Sequence, residues 1–285
     1  MLTSPRALVE GVVGPSLQTM QPLSGGMIGQ VYLVTLGDGS KWVAKVDERA
    51  VPQLHIEGYM LDYLARESEL PVPEVVHSSE RLLLMAYVPG ESRFTAGAER
   101  MAAELLVGLH RQTKPQFGLE RDTLIGKLSQ PNEWRDDWVT FFWEQRLWHL
   151  GRMAVKQKRM PASLLTRLEK FGGEIEKWGL VAEAPSLVHG DVWATNVLAE
   201  GDVITAFIDP AIYYGQREIE LAYITLFGTF GKPFFERYEA LWPLAPGFWE
   251  TRCDIYNLYP LLSHVVHFGG SYVGSVASTL EKLGY

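Results

Sequence analysis

The segment "SLVHGDVWATNVLAEGDVITAFIDP", residues 186–210, constrains the fold of this 285-residue chain more than any other. Two apolar runs flank a Gly-Asp pair, which is typical of a β-hairpin. Asp191 comes before the hairpin, Asn196 lies at its start and Asp209 follows it. Because a hairpin returns the chain to its starting end, we expect these three side chains to converge. Oxygen ligands of this kind suit Mg²⁺, so the segment predicts a metal site at Asn196 and Asp209.

Asp191 is then free to accept the proton of an attacking hydroxyl group, as in phosphoryl transfer. The alternative is that Asp191 and Asp209 are turn or cap residues beside a hairpin. The spacing favours the chemical role, because "HGDVWATN" matches the protein-kinase catalytic-loop pattern H-R-D-x-x-x-x-N with Gly190 in place of Arg. Asp209 stands where the metal-binding Asp of D-F-G would follow. We expect His189 to be a buried histidine that bonds a carbonyl group and shapes this loop.

The first part of the chain predicts a small sheet with one helix. "QVYLVTLGDGSKWVAKV" is typical of two strands joined by a hairpin, "PQLHIEGYMLDYLARE" has helical apolar spacing, and "RLLLMAYV" is typical of a short buried strand. After the turn-forming stretch "PGESRFTAG", the apolar spacing is mostly helical and one hairpin interrupts it. We therefore expect an α+β fold with a β-rich lobe at 1–88, a hinge at about 85–90 and a mostly helical lobe at 89–285.

Two features of the first lobe indicate a nucleotide site. "LSGGMIGQVYLV" places Ser24, Gly26 and Gly29 at the three glycine positions of G-x-G-x-x-G, although a plain hairpin loop is the alternative. Lys45 ends a strand, and Glu57 lies in the middle of the apolar face of the helix. A carboxylate buried there needs a partner, so we expect a Lys45–Glu57 pair that holds the ammonium group against nucleotide phosphates.

Two further parts of the expected site concern the adenine ring of the nucleotide and the substrate that accepts the phosphoryl group. The backbone around Met85, Ala86 and Tyr87 is expected to contact the adenine ring, unless the segment is an ordinary edge strand. Trp193 lies two residues beyond Asp191, where it is either a wall of the substrate pocket or an aromatic core residue.

A pair of glutamates opens a helix in the stretch that follows Asp209. Acidic residues are favoured in the first turn by the helix dipole, and this effect alone can explain why Glu218 and Glu220 occur there. Alternatively, one of them reaches back and braces the loop around His189 and Asp191.

Charge and cysteine content limit the partners. The formal net charge is −8 and no basic run occurs, so nucleic acid and anionic membranes are poor partners. The apolar stretch "LLLMAYV" is far below the ~18 residues of a membrane span, and the N-terminus lacks a signal-peptide pattern. We therefore expect a cytoplasmic protein that acts as a monomer. Because Cys253 is the single cysteine, any metal would be bound by oxygen or imidazole.

The chain resembles the fructosamine kinase (ketosamine kinase) family, a relative of aminoglycoside and choline kinases with the bilobal protein-kinase-like fold. The resemblance rests on "HGDVWATN", on "DPAIYYGQREIELA" and on "LIGKLSQPNEWRDDWVTFFWEQRL", the last of which differs in aminoglycoside and choline kinases. Two positions depart from the family pattern. Glu220 replaces an Asp, which lengthens the arm that would brace the loop, and Ser24 replaces a glycine of the phosphate loop.

The resemblance implies ATP- and Mg²⁺-dependent phosphorylation of a ketosamine, at O3 of a fructosamine or ribulosamine, which yields an unstable adduct that releases the amine. It implies that Asp191 is the base, that Asn196 and Asp209 hold Mg²⁺, and that Trp193 lines the sugar pocket. The same resemblance assigns the phosphate-anchoring pair to Lys45 and Glu57. The substrate would be a small-molecule or protein-bound ketosamine.

Two other functions stay open. One is a kinase for a different hydroxyl substrate, such as an aminoglycoside, an amino alcohol or another sugar. The other is a kinase-shaped protein that binds nucleotide without turnover, which the intact set of polar residues argues against.

Overall fold

The computed structural model describes residues 4–23, 29–180 and 183–285. The N-terminal part is built on a five-stranded sheet in the order β1-β2-β3-β5-β4, and all neighbouring strands are antiparallel. The strands are β1 (Leu17–Leu23), β2 (Gln30–Leu36), β3 (Lys41–Val46), β4 (Val75–Ser78) and β5 (Leu82–Ala86). The predicted hairpin around "GDGS" joins β2 to β3, since Val31 pairs with Lys45 and Thr35 with Lys41.

Helix α2 (Leu54–Glu67) is the helix predicted for this part, but the structure adds a helix and a strand before it. Helix α1 (Pro5–Val13) begins after Ser4, whose hydroxyl accepts the N–H of Ala7 at 3.2 Å. Strand β1 is an edge strand that is mostly exposed and contains Pro22, so it lacks the apolar alternation by which a strand is recognised.

The rest of the chain is mostly helical, as expected. Its helices are α3 (Ala96–His110), α4 (Trp138–Phe142), α5 (His149–Lys156), α6 (Ala162–Gly172), α7 (Glu218–Phe227), α8 (Lys232–Leu241), α9 (Cys253–Phe268) and α10 (Ser271–Lys282). Its strands are β6 (Thr123–Ile125), β7 (Leu128–Gln130), β8 (Ser186–Val188), β9 (Val197–Glu200), β10 (Val203–Phe207) and β11 (Tyr213–Gly215).

The predicted hairpin around "AEGD" is formed by β9 and β10, which pair antiparallel. The expectation of a single hairpin in this part is wrong, because β6 and β7 form a second one and β8 pairs with β11. Each of these additional strands has three residues, which is too short for a period-2 pattern to be recognised.

Helix α2 connects the sheet to the helical part. Its Leu54 and Leu61 pack beneath β5, whereas Met60 and Leu64 belong to the large core that the helical part builds. A separate apolar cluster that includes Val34 lies on the other face of the sheet, because it contains Leu82 and Leu84 of β5, which alternate with Leu83 and Met85. We keep the division at residues 88 and 89 as a proposal. No helix in the described ranges combines the length and the apolar character that crossing a bilayer requires.

Candidate active site

A cavity of about 900 Å³ lies between the sheet and the helical part. Most of the predicted base, nucleotide, metal and substrate residues line it: Lys45, Glu57, Met85, Ala86, Tyr87, Asp191, Trp193, Asn196 and Asp209. Gly26 lies outside the described residues, as does Ser24. Gly29 does not line the cavity, but a Cβ atom there would lie 2.2 Å from the carbonyl oxygen of Val46, so this turn requires glycine.

The expected Lys45–Glu57 pair is confirmed. Lys45 points from β3 toward α2, where its Nζ lies 2.6 Å from Glu57 Oε1, and it also forms an ion pair with Asp209. Burial disfavours the ammonium form, but the two carboxylates outweigh it and raise the pKa of Lys45 above its ordinary value. Burial acts the other way on Glu57 and raises the pKa of that carboxyl to about 7. The ammonium group therefore stays charged between the two parts of the chain.

Asp191 and Asn196 meet at the opposite wall of the cavity, as the hairpin argument predicts. The side-chain amide of Asn196 donates to Asp191 Oδ2 at 2.9 Å and to the Asp191 carbonyl oxygen at 3.0 Å. Burial is the largest influence on Asp191 and, with the nearby charge of Asp209, it raises the pKa of the Asp191 carboxyl to about 7. Asp209 completes the predicted set, with a left-handed backbone (φ 54°) that is uncommon outside glycine.

The backbone of the loop explains why glycine replaces the arginine of the kinase pattern. Gly190 has φ +84°, and a Cβ atom there would lie 2.2 Å from the carbonyl oxygen of Ala211. His189 is fully buried, as predicted. Its Nδ1 accepts the N–H of Asp191 at 3.3 Å, so this contact is made to an amide rather than to a carbonyl group.

Glu220 is the glutamate that braces the loop. Its Oε1 accepts the N–H of Gly190 at 2.6 Å and its Oε2 accepts the N–H of His189 at 3.2 Å. His110 Nε2 lies 2.8 Å from the same Oε2. Burial opposes the charged form of Glu220, yet the bonds from His110 and from the loop prevail and lower the pKa of this carboxyl. The side chain of Glu220, which is longer than the Asp of the family pattern, therefore still reaches the loop.

The other glutamate, Glu218, faces away from the loop. It forms a buried ion pair with Arg252, in which Arg252 Nε lies 2.7 Å from Glu218 Oε2. Only one of the two acids thus serves as the brace, and the sequence alone did not distinguish them.

The segment at the end of β5 lines the cavity, and two of its backbone N–H groups are already paired within the protein. Ala86 N–H donates to the Glu74 carbonyl at 2.8 Å and Tyr87 N–H donates to the Lys41 carbonyl at 3.1 Å. A purine edge would therefore need another donor. Val88 also lines the cavity, and its N–H has no partner within the described part of the chain.

The cavity continues beyond Asp191 between aromatic side chains. The ring of Trp193 lies 6.3 Å from that of Phe227, and Phe227 lies 4.9 Å from His264. Tyr272 of α10 follows, with its ring 4.9 Å from His264. Trp193 therefore has the pocket position that was one of its two expected roles.

One polar contact at the centre of the site was missed from the sequence. The hydroxyl of Tyr223 donates to Asp191 Oδ1. Tyr223 follows Glu220 by three positions on α7 and so shares its face, which is the signal that could have found it.

Comparisons with known proteins agree with this geometry. The family model described as fructosamine kinase matches residues 1–284. A Vibrio parahaemolyticus protein assigned as a ketoamine kinase is 34% identical over 274 residues, which are 92% of this chain and 91% of that protein. A Thermobifida fusca crystal structure assigned as a fructosamine-3-kinase has a TM-score of 0.86 and 30% identity, and covers 99% of this chain and 98% of that chain.

A more distant neighbour defines the fold class. A thermostable mutant of an aminoglycoside phosphotransferase, solved with ADP and hygromycin B, has a TM-score of 0.69 and 19% identity over 99% of this chain and 98% of its own. At that identity the likeness shows the fold alone. The expected α+β, protein-kinase-like fold is confirmed.

Proposed function

Because the chain belongs to the fructosamine kinase family, we propose that it transfers the γ-phosphoryl group of ATP to a sugar hydroxyl of a ketosamine. We take the acceptor to be O3 of a fructosamine or ribulosamine, whose phosphorylation destabilises the adduct and releases the amine. The observation that carries the proposal is the position of Lys45 across one cavity from Asp191, with Asp209 between them in contact with Lys45.

We assign nucleotide binding to the sheet side of the cavity. Lys45, held by Glu57, would contact the α and β phosphates, as the Lys–Glu pair of kinases does. The adenine ring would lie against the segment around Met85 to Tyr87, with Val88 N–H as the available donor. Gly26 and Gly29 would belong to the loop over the phosphates.

Asn196 and Asp209 would hold Mg²⁺. No three His, Cys, Asp or Glu side chains of the described residues form a metal cage, which suits a cation that takes one or two protein ligands and completes its shell with water and phosphate. Bound Mg²⁺ would neutralise phosphate charge. Asp209 presents a carboxylate to the cavity, with a side chain that is 28% exposed.

Asp191 is the group that we assign as general base. The proton of the acceptor hydroxyl passes to the Asp191 carboxylate while the hydroxyl oxygen forms its bond to the γ phosphorus and the bond to the ADP oxygen breaks. A base is most effective when its pKa is close to the working pH, and burial raises the pKa of Asp191 to about 7.

The lining of the cavity favours a ketosamine over an aminoglycoside, the second candidate. Aminoglycosides carry several positive charges, which require facing carboxylates. Among the described lining residues, the carboxylates are Glu57, Asp191 and Asp209, all on the phosphoryl-transfer side. The acceptor side presents Trp193 and other aromatic side chains, which suit a sugar carrying one amine. We retain the expectation of a cytoplasmic monomer that acts on small-molecule or protein-bound ketosamines.

The test is ATP consumption with Mg²⁺ across ribulose- and fructose-amines, aminoglycosides and choline. We expect turnover of ketosamines and a fall of at least ~100-fold in kcat for Asp191→Asn, the scale of a lost general base. Equal rates for the variant and the parent would remove Asp191 from the mechanism. Turnover of aminoglycosides alone would refute the substrate class.

A further inference from the structure

Tyr223 has no role in the function proposed above, yet it contacts Asp191, the proposed general base, directly. Its hydroxyl lies 2.5 Å from Asp191 Oδ1, while the amide of Asn196 occupies Oδ2. Tyr223 is 7% exposed and lines the cavity. Both carboxylate oxygens of Asp191 therefore accept a hydrogen bond. One of the two donors, Tyr223, also lines the cavity that would bind the substrate.

The direction of the hydrogen bond determines what Tyr223 offers to a ligand. Burial and the charge of Asp191 both raise the pKa of Tyr223 well above its ordinary value, so the phenol keeps its proton and donates it to Asp191. A donating hydroxyl still has lone pairs that accept hydrogen bonds. Within the described part of the chain, no group donates to this oxygen. An acceptor left open at the wall of a cavity is a point of recognition for a donor on the substrate.

The attacking hydroxyl cannot be that donor, because its proton goes to Asp191. A hydroxyl on the next carbon can be, since neighbouring sugar oxygens in a gauche arrangement are spaced much like two hydrogen-bonded oxygens. Asp191 Oδ1 and Tyr223 Oη are such a pair. The two acceptors thus match two adjacent hydroxyl groups.

We propose that Tyr223 Oη accepts a hydrogen bond from the hydroxyl next to the one that is phosphorylated, so that Asp191 and Tyr223 together select a vicinal diol. This inference rests on the proposed function. For a ketosamine that is phosphorylated at O3 in its open-chain form, the recognised neighbour is the hydroxyl at C4, because C2 then carries the carbonyl group. The substrate class is thereby narrowed to ketosamines with free hydroxyls at both positions.

The experiment combines a substrate change with a protein change. The kcat/KM is measured for the parent and for Tyr223→Phe, each with a fructosamine and with its 4-deoxy analogue, which keeps the O3 acceptor. We expect the parent to lose ~10-fold in kcat/KM on the deoxy analogue, the size of one hydrogen bond to a buried partner. Tyr223→Phe should lose at least as much on the intact substrate, because it also loses the bond to Asp191. The variant should then show no further loss with the deoxy analogue.

If Tyr223 only orients Asp191, the loss from the substitution and the loss from the deoxy substrate multiply. Tyr223→Phe then lowers kcat/KM by the same factor on both substrates. That result would overturn the inference and leave the proposed function standing. Absence of turnover of both the fructosamine and a ribulosamine by the parent would instead refute the proposed function, and the inference with it. If only the ribulosamine is turned over, the same four rates are measured with it and with its 4-deoxy analogue.

A matched variant tests for a general effect of removing a cavity hydroxyl. Tyr259 also lines the cavity, but its hydroxyl donates to Gln130 Oε1 instead of to Asp191. We expect Tyr259→Phe to keep the parent's ratio between the diol and the deoxy substrate. A ratio that collapses in Tyr259→Phe as it does in Tyr223→Phe would contradict a specific role for Tyr223. Thermal unfolding of each variant checks that the fold is retained.

Discussion

Lys45 and Asp209, which are 164 positions apart in the chain, form an ion pair across the cavity. Lys45 at the same time contacts Glu57, so one ammonium group joins a helix packed on the sheet to the loop that follows β10. Two carboxylates share one cation in this arrangement. On the proposed function, nucleotide phosphate would take over Lys45 and Asp209 would become available to Mg²⁺.

Replacing Lys45 with Met tests the nucleotide side of the site. We expect kcat/KM for ATP to fall at least ~100-fold, because an oriented charge on the phosphates is lost. The protein should stay folded, since burial already raises the pKa of Glu57 to about 7 and this carboxyl can take up a proton when its partner is removed. Steady-state kinetics and thermal unfolding give the two readouts.

Glu57→Gln is the matched variant for that experiment. It leaves Lys45 paired with Asp209, so we expect a smaller loss of activity than in Lys45→Met. Normal ATP turnover by Lys45→Met would show that the sheet side of the cavity does not bind nucleotide.

The metal assignment predicts how activity depends on Mg²⁺. Chelation should abolish turnover by the parent, and added Mg²⁺ should restore it. Asp209→Asn removes a charged ligand, so we expect it to need at least ~10-fold more Mg²⁺ for half-maximal activity. The Lys45–Glu57 pair remains in this variant and should preserve the fold. An unchanged Mg²⁺ requirement in Asp209→Asn would exclude that side chain as a ligand.

The parts of the site that the sequence predicts are those with a local signal. Asp191 and Asn196 lie five residues apart on one loop, and a hairpin brings Asp209 back to them. Glu57 stands out because a carboxylate on an apolar helix face needs a partner. These relationships follow from spacing and from the cost of burying charge, so they can be read from the chain alone.

The parts that escape prediction depend on how separate elements are placed. Tyr223 reaches Asp191 only because α7 presents this face to the loop, and its three-residue spacing from Glu220 becomes a signal only once Glu220 is known to be the brace. The N–H groups of Ala86 and Tyr87 donate to the carbonyl groups of Glu74 and Lys41. These bonds depend on which strands lie side by side, and the sequence does not state that. Strand β1 is found by pairing as well, since its own residues are mostly exposed.

Gly190 offers a test of loop geometry with a matched control. Gly190 and Gly39 have nearly the same φ (+84° and +85°), but a Cβ atom would clash with Ala211 only at Gly190, and would meet nothing within 4 Å at Gly39. Gly39→Ala should cost about 1–2 kcal/mol, the strain of a left-handed residue. Gly190→Ala should cost at least about 2 kcal/mol more because the backbone must move.

Activity separates these two variants further. Gly190 directly precedes Asp191, and a shift of the base by about 1 Å is expected to lower kcat ~100-fold. Gly39 lies in the hairpin between β2 and β3, so Gly39→Ala should keep the parent's kcat. Equal denaturant midpoints and equal kcat for the two variants would show that the close approach to Ala211 does not constrain the loop.

The brace predicts a pH-dependent contribution to stability. Glu220 has a lowered pKa in the folded protein, so it binds fewer protons folded than unfolded, and its contribution is present above the ordinary pKa of about 4.3 and lost as the pH falls further. Glu220→Gln should lower the free energy of unfolding by at least about 2 kcal/mol at pH 7. The side-chain NH₂ group of Gln would replace one of the two oxygens that accept N–H groups of the loop, and it cannot accept them. The difference in the free energy of unfolding from the parent should shrink below about pH 4.3.

The same substitution at Glu218 distinguishes a brace from a buried ion pair. Glu218 lies on α7 with Glu220 and pairs with Arg252, so Glu218→Gln breaks that pair and should also destabilise the fold. It leaves the bonds of Glu220 to His189 and Gly190 intact. We therefore expect kcat to fall in Glu220→Gln and to be retained in Glu218→Gln, measured below the unfolding temperature of both. A fall of kcat in both variants would mean that the loop responds to the stability of α7 in general, whereas a fall confined to Glu220→Gln would tie the position of Asp191 to this one carboxylate.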